Sequence, residues 1–348
     1  SQYQGRGVLT TANYEARKLG LRSAMPTMQA AKLAPNAVLL PADFEWYKTQ
    51  SRAFKSAVLE LAPVMENRGI DEIYLDLTEQ TQGDFAQAEL LAAQLKQAVS
   101  QATGGMTCSM GLSANKMTSK IASDLQKPNG LTVVRPEDFQ KVIWPLPVGR
   151  INGVGPKAQA KLQQFGIGTV AQLAQAEPQW LIDHFGSSYG HWLHQCAWGI
   201  DPRELDLGSD PKSMSRETTF EHDMHIRRNR EQLSAVLLQL AEKLAADLRR
   251  KHCRARTIGV KVRFADFKSL TRDNTPGGLL HEAVDLVDAA RQCLKKIPFE
   301  QQGVLSSIRL LGIKASNLVD EGDAETHLIK LAGSKGNPQL RLDFEDGP

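Results

Sequence analysis

The sequence predicts an α+β protein of several domains, and three features predict it. A chain of 348 residues can fill two or three domains of roughly 150 residues each. Strand-like and helix-like segments alternate as far as residue 134, an all-helical pattern follows from 150 to about 200, and mixed patterns return after 211. Such runs point to separate mixed and helical layers. Charge is segregated as well: the net is only +3, yet residues 212–272 carry 15 basic and 7 acidic side chains, against 19 and 20 in residues 1–211 and 8 and 12 in residues 273–348.

The elements follow in order. Residues 7–11 are strand-like and residues 12–20 show a short helical pattern ended by Gly20. A helix over 28–33 stops before Pro35, and 37–40 form a short apolar strand closed by Pro41. Phe44, Tyr47, Phe54, Val58 and Leu61 recur at helical spacing within 43–64. A strand over 70–78 and a helix over 85–100 come next, then a Gly104-Gly105 turn, a strand over 106–112, a helix over 116–125 and a strand over 131–134. The Pro-rich run at 144–147 marks a boundary to the helical stretch, and Pro202, Gly208 and Pro211 mark an exposed linker over 201–211. Beyond it the pattern gives a long amphipathic helix (231–251), a strand (257–264), a helix (280–294) and a strand (306–313). Past Asn317 the chain turns polar and aperiodic, a composition that reads as a flexible tail.

Composition narrows the class. Hydrophobic residues make up 41% and charged residues 23%, ordinary globular usage. No apolar run approaches the ~18 residues of a membrane span. The first residues lack the pattern of a secretion signal, and Ser1 is not expected to be the natural start. Cys108, Cys196, Cys253 and Cys293 are scattered with no C-x-x-C pair, which argues against a disulfide framework or a zinc site and for a cytoplasmic location. His184, His191, His194 and His222 show no ligand spacing and read as structural.

Two adjacent carboxylates, Asp71 and Glu72, open an apolar strand just after Gly69. Neighbouring strand side chains point to opposite faces, so both serve one site only at the strand's mouth, where Gly69 lets the backbone turn. A hard cation such as Mg²⁺ would balance them; an exposed acidic turn is the plain alternative for the pair alone. Tyr14 and Arg17, three apart on one helix face, can offer a hydroxyl and a guanidinium to phosphate oxygens. Lys127, in the tight turn Lys127-Pro128-Asn129-Gly130, adds an ammonium. Together these sketch a two-metal phosphoryl-transfer site. Gly153 and Gly155 precede a helix opened by Pro156, with Lys157 and Lys161 on one face. That spacing suits a helix-hairpin-helix, whose helix N-terminus meets a backbone phosphate without reading a base. The cationic segment 212–272 is a second footprint of a polyanion partner.

The run Thr11-Ala12-Asn13-Tyr14-Glu15-Ala16-Arg17, with Ser23-Ala24-Met25-Pro26, Ile70-Asp71-Glu72-Ile73-Tyr74-Leu75-Asp76, Lys127-Pro128-Asn129-Gly130 and the hairpin, resembles the Y-family translesion DNA polymerases, most nearly their bacterial members. The run 212–220 is similar to the entrance of that family's extra DNA-binding domain, the little finger. The resemblance implies a right-hand polymerase of palm, fingers and thumb plus an α+β little finger. It places the fingers (partial) at 1–41, the palm at 42–140, the thumb at 141–200, a linker at 201–211, the little finger at 212–316 and a tail at 317–348. It implies that Asp71 and Glu72 hold two Mg²⁺ ions and that Thr11, Tyr14, Arg17 and Lys127 hold the incoming deoxynucleoside triphosphate. Val8 and Thr10 would roof the nascent base pair. Gly153, Gly155, Lys157 and Lys161 would grip primer–template DNA, as would Arg254, Arg256, Lys261 and Arg263 on little-finger strands. The segment Gln339-Leu340-Arg341-Leu342-Asp343-Phe344 resembles a sliding-clamp-binding peptide, with Gln339, Leu340, Leu342 and Phe344 as its contacts. The implied enzyme is a monomeric, error-prone, DNA-directed DNA polymerase of damage tolerance and repair.

The family's first palm strand carries an Asp-x-Asp-aromatic motif, and nothing here matches it. The expectation is a fragment of an active polymerase that lacks one catalytic Asp. The other reading is an inactive homologue serving as a DNA- and clamp-bound adaptor.

Overall fold

A computed structural model describes residues 5–208, 210–299 and 307–320. By its contacts the chain divides into two compact units: Ser1–Leu40 with Ser209–Pro348, and Pro41–Gly208.

The N-terminal part of the first unit holds α1 (Tyr14–Lys18) and α2 (Thr27–Leu33) around a small core of Leu9, Leu21, Ala30 and Ala34. Asn13 starts α1, its side-chain oxygen accepting the Ala16 N–H at 3.0 Å. The strand expected over 7–11 is reduced to a bridge between Val8 and Pro26, with Leu9 N–H donating to Met25 O at 2.9 Å. No strand forms over 37–40, where Val38 and Leu40 are exposed. Both stretches have strand-like composition but no partner ladder among the described residues.

The second unit begins with α3 (Phe44–Leu61), capped by Asp43, whose carboxylate accepts the Trp46 N–H at 3.0 Å. An antiparallel pair follows, β1 (Met65–Asn67) and β2 (Ile73–Leu75), then α4 (Thr78–Thr81) and α5 (Phe85–Ala102). Next come β3 (Met110–Ser113), α6 (Lys116–Leu125) and β4 (Leu131–Val134), a parallel pair joined by its helix. α6 lies so close to β3 that a Cβ on Gly111 would come 2.1 Å from Ser119 O. The expected strand over 70–78 thus shrinks to three residues and that over 106–112 to four beginning at Met110. Val58, Ala62, Leu95 and Val99 join α3 and α5 to both pairs of strands.

α7 (Phe139–Ile143) precedes the Pro-rich run, and α8 (Pro156–Gln164), α9 (Val170–Ala174), α10 (Pro178–Phe185) and α11 (Ser187–Ala197) make the all-helical stretch expected over 150–200. One core runs from Met117, Ile121 and Val134 to Leu162, Leu173, Leu181 and Leu193, so packing continues across the Pro-rich run at 144–147. The linker beyond 200 has no regular element up to Gly208, but its start is docked. Asp201 Oδ2 accepts the Met117 N–H at 2.9 Å at the start of α6, and Asp206 N–H donates to Glu66 Oε2 at 2.9 Å.

The first unit resumes with β5 (Ser213–His225), α12 (Arg230–Arg250), β6 (Cys253–Phe264), β7 (Ser269–Asn274), α13 (Ala283–Lys295) and β8 (Ser307–Asp320). The sheet has the order β5-β8-β6-β7, antiparallel throughout. α12 buries Leu233, Leu237, Leu240, Leu244 and Leu248, a stripe at helical spacing, and with Leu286 and Ala290 of α13 it covers one face. β8 runs through Asp320, into the stretch expected as tail, because Cys253, Arg254 and Ala255 of β6 pair with Asp320, Val319 and Leu318. In the same unit Arg6 reaches β5, 2.7 Å from Asp223 Oδ1 and 3.1 Å from Phe220 O.

Candidate active site and nucleic-acid interface

Asp71 and Glu72 stand exposed in the turn between β1 and β2, ahead of the strand. Gly69 has φ +122, a left-handed conformation that side-chain-bearing residues rarely adopt, and Arg68 N–H closes the turn onto Glu72 O at 3.0 Å. Two lysines neutralise this corner. Lys120 of α6 pairs with Glu72 Oε1, and Lys55 of α3 donates to Gly69 O and, at 3.0 Å, to Asn67 Oδ1. Burial pulls the Lys55 ammonium below its usual range, while the negative charge of Asp71 works against that. Asp76 turns away to its neighbour, accepting from Thr78 N–H at 2.9 Å.

Behind the turn, Glu66 is buried, with 3% of its side chain exposed, and bound to Lys116 at 2.5 Å. Burial alone would raise its carboxyl, but the Lys116 hydrogen bond, the Asp206 amide and the charges of Lys116 and Arg68 outweigh burial and hold it below the usual carboxylate range. Lys116 also donates to Glu204 O at 3.0 Å. Neither this clasp nor Lys55 and Lys120 was visible in the sequence, because each joins residues far apart in the chain.

Lys127 follows α6, as its turn sequence predicts, and rests 2.5 Å from Asp124 Oδ1. In the first unit Tyr14 and Arg17 share a face of α1, with the guanidinium 5.9 Å from the ring centroid and Arg17 Nε donating to Ala12 O at 2.8 Å. Thr11, Tyr14 and Arg17 are all exposed. Val8 and Thr10 point outward on either side of buried Leu9.

Pro156 opens α8 and Gly155 is its N-cap, a position with open space where a Cβ would stand. Gly153 serves packing: φ is +116, a Cβ would meet the Trp192 ring at 2.6 Å, and Tyr189 donates its hydroxyl to Gly153 O at 2.9 Å. Lys157 is exposed beside the free first-turn amides. Lys161 instead reaches back to His184 O and lies 4.7 Å from the Phe185 ring centroid, so its ammonium is engaged among the helices.

On β6, Ile258, Val260, Val262 and Phe264 face the helices, while Lys261 and Arg263 lie on the uncovered face. There Lys261 binds Glu217 Oε2 of β5 at 2.9 Å across Gly312, and Arg263 Nε donates to Ser269 Oγ at 3.0 Å. Arg254 and Arg256 are half-buried in the first half of β6. Gln339, Leu340, Leu342 and Phe344 lie outside the described residues.

Among the described residues no group of three or more His, Cys, Asp or Glu side chains is arranged for a metal. Two exposed carboxylates side by side still fit Mg²⁺, which keeps several waters and takes one or two carboxylates plus substrate phosphates.

The impB/mucB/samB family matches residues 1–124, its C-terminal domain 211–328, and the IMS family HHH motif 136–167. A DNA polymerase IV of Methanoculleus marisnigri is 40% identical over 314 residues, 90% of this chain and 84% of its own length. The DNA polymerase IV of Bacteroides fragilis is 34% identical over 344 residues, 98% of this chain and 89% of its own. Among solved structures, a Y-family DNA polymerase chimera of Dbh and Dpo4 superposes with a TM-score of 0.77 at 25% identity, covering 91% of this chain and 89% of that one. DinB from Sulfolobus solfataricus gives 0.58 at 25% identity over 90% and 89%. The fold is therefore that of a right-hand polymerase with an added α+β little finger. The chain belongs to the Y-family DNA polymerases, among the relatives called DNA polymerase IV.

Proposed function

We propose that this chain adds deoxynucleotides to a primer 3′-hydroxyl under template direction, as an error-prone translesion polymerase of damage tolerance and repair. The observation that carries the reading is the exposed Asp71–Glu72 pair on a glycine turn, flanked by Lys55 and Lys120. In this reading Asp71 and Glu72 hold the catalytic cations, which when bound lower the pKa of the primer hydroxyl and neutralise charge on the triphosphate. Tyr14 and Arg17, with Thr11 beside them, give phosphate oxygens a phenol and a guanidinium, and Lys127 gives an ammonium released from Asp124. Val8 and Thr10, small and outward-facing, leave room over a damaged template base. The α8 N-terminus and Lys157 hold duplex phosphates, and Lys261 and Arg263 present cations on the uncovered face of the little-finger sheet. Lys161 contributes by fixing α8 to α10. The clamp is engaged through Gln339–Phe344.

In the complete protein, with the first palm strand present, Asp71→Ala is expected to abolish primer extension while the salt-dependent affinity for primer–template DNA, read by fluorescence anisotropy, stays unchanged. Persistent extension by that variant would refute the role. Deleting residues 339–344 is expected to remove clamp stimulation and spare basal synthesis; stimulation that survives the deletion would sink the clamp assignment.

A further inference from the structure

Lys96 lies on α5, outside every set of residues assigned above. Its ammonium reaches four oxygens: Cys108 O at 2.8 Å, Asn129 O at 2.7 Å, Asn129 Oδ1 at 2.8 Å and, longer, Gly130 O at 3.3 Å. An ammonium has three donors, so this set saturates it. The acceptors come from two segments, the approach to β3 and the Lys127-Pro128-Asn129-Gly130 turn.

That turn needs holding. Asn129 sits at φ +56, a left-handed conformation that persists where its surroundings impose it. Gly130 folds back so tightly on the end of α6 that a Cβ there would come 2.1 Å from Gln126 O. Its carbonyl already accepts the Met110 N–H at 2.9 Å, which ties the turn to β3. Lys96 supplies the charged member of the set, and hydrogen bonds from a charged donor are the stronger ones.

We propose that Lys96 is a positioning residue for the incoming nucleotide: its ammonium clasps the turn that carries Lys127 and so sets where the Lys127 ammonium stands. The proposal rests on the reading of Lys127 as a triphosphate ligand. Lys96 itself touches no substrate; it acts through the turn.

The test uses single-nucleotide insertion of dATP opposite template thymine at saturating primer–template, with Lys96→Met, Lys96→Arg, Lys127→Met and the Lys96→Met/Lys127→Met pair. Lys96→Met is expected to raise KM for dATP on the order of tenfold with little change in kcat, as expected for a displaced binding group. Lys96→Arg, which keeps charge and donors, restores most of the loss. The pair behaves like Lys127→Met alone, because both changes remove one interaction. Amide hydrogen exchange over 127–131 rises in Lys96→Met and not in Lys127→Met. Unchanged exchange, or a KM effect that adds fully to that of Lys127→Met, overturns the role of Lys96. A Lys127→Met enzyme with unaltered KM overturns the reading of Lys127 instead, and the exchange result then still reports on the clasp. Equal loss of kcat and thermal stability in Lys96→Met and Lys96→Arg would show a merely structural lysine.

Discussion

The described residues of 210–299 and 307–320 build a four-stranded sheet with two long helices on one face, whereas those of the carboxylate-bearing unit form two separate strand pairs of three and four residues per strand. The little finger closes around apolar side chains, among them Leu244, Leu248, Phe264 and Leu286, and leaves its other face to carry charge. The carboxylate-bearing unit has little sheet to pack, and polar clasps finish it: Glu66 with Lys116 and Asp206, Asp201 with the start of α6, and Lys96 with the Lys127 turn. The difference teaches that a charged sheet face can rest on hydrophobic burial beneath it, while a corner that carries adjacent carboxylates is held by groups that can match charge.

Phe264→Ala is expected to break the little-finger side most. The ring is 1% exposed and meets Phe299 edge-on at 6.2 Å, and such truncations cost about 3–5 kcal/mol. Chemical denaturation should show that loss; a change below 1 kcal/mol on the order-of-magnitude scale of surface substitutions would mean the core does not carry this domain.

Glu66→Ala comes next, on the polar side. It leaves the Lys116 ammonium, whose side chain is 11% exposed, without its carboxylate, a loss of about 3 kcal/mol at the low end for a broken buried pair. Glu204 O and the Tyr74 ring, 5.5 Å away, remain to soften it. The pair also sets a pH dependence. The folded Glu66 carboxyl titrates below its unfolded value, so its stabilisation is present above the unfolded pKa and is lost as pH falls through the folded one. Asp247, held down first by its hydrogen bond to Arg216 with burial opposing, has the same sign in the little finger. Wild-type stability should therefore drop on acidification below the ordinary carboxylate range, and Glu66→Gln should flatten that fall. An unaltered acid limb would show that Glu66 is not linked to folding.

The helices were legible because their ends and faces are local. Asp43, Asp84 and Asn115 cap α3, α5 and α6 through amides two or three residues on, and α12 shows its leucine stripe directly. Strands depend on partners elsewhere in the chain. β5 and β7 carry no strand signal in sequence because Ser213–His225 and Ser269–Asn274 are mostly polar, with one face to solvent, while 7–11 and 37–40 are strand-like in composition and have no ladder among the described residues. The same divide runs through the site. Gly69, Asp71, Glu72 and the Lys127 turn were readable from adjacency alone. Lys55, Lys116 and Lys120 act across 14, 50 and 48 positions, and Lys96 across 33, so no spacing rule could join them.

The smallest effect belongs to the uncovered sheet face, where Glu217 holds Lys261 at 2.9 Å with both side chains more than a third exposed. An exposed pair of this kind is worth ~0–1 kcal/mol, so Glu217→Gln should scarcely move the unfolding midpoint. Its consequence is electrostatic. Freed from Glu217, Lys261 adds one cation toward any phosphate backbone on that face, and each neutralised phosphate contributes about 0.9 to the salt slope on duplex DNA. Glu217→Gln is therefore expected to tighten DNA binding at low salt, to steepen the slope by about one phosphate and to leave the carboxylate-bearing unit untouched. If affinity and slope stay as they are while stability is unchanged, DNA does not lie against Lys261, and the grip must be sought at Arg254 and Arg256 in the first half of β6.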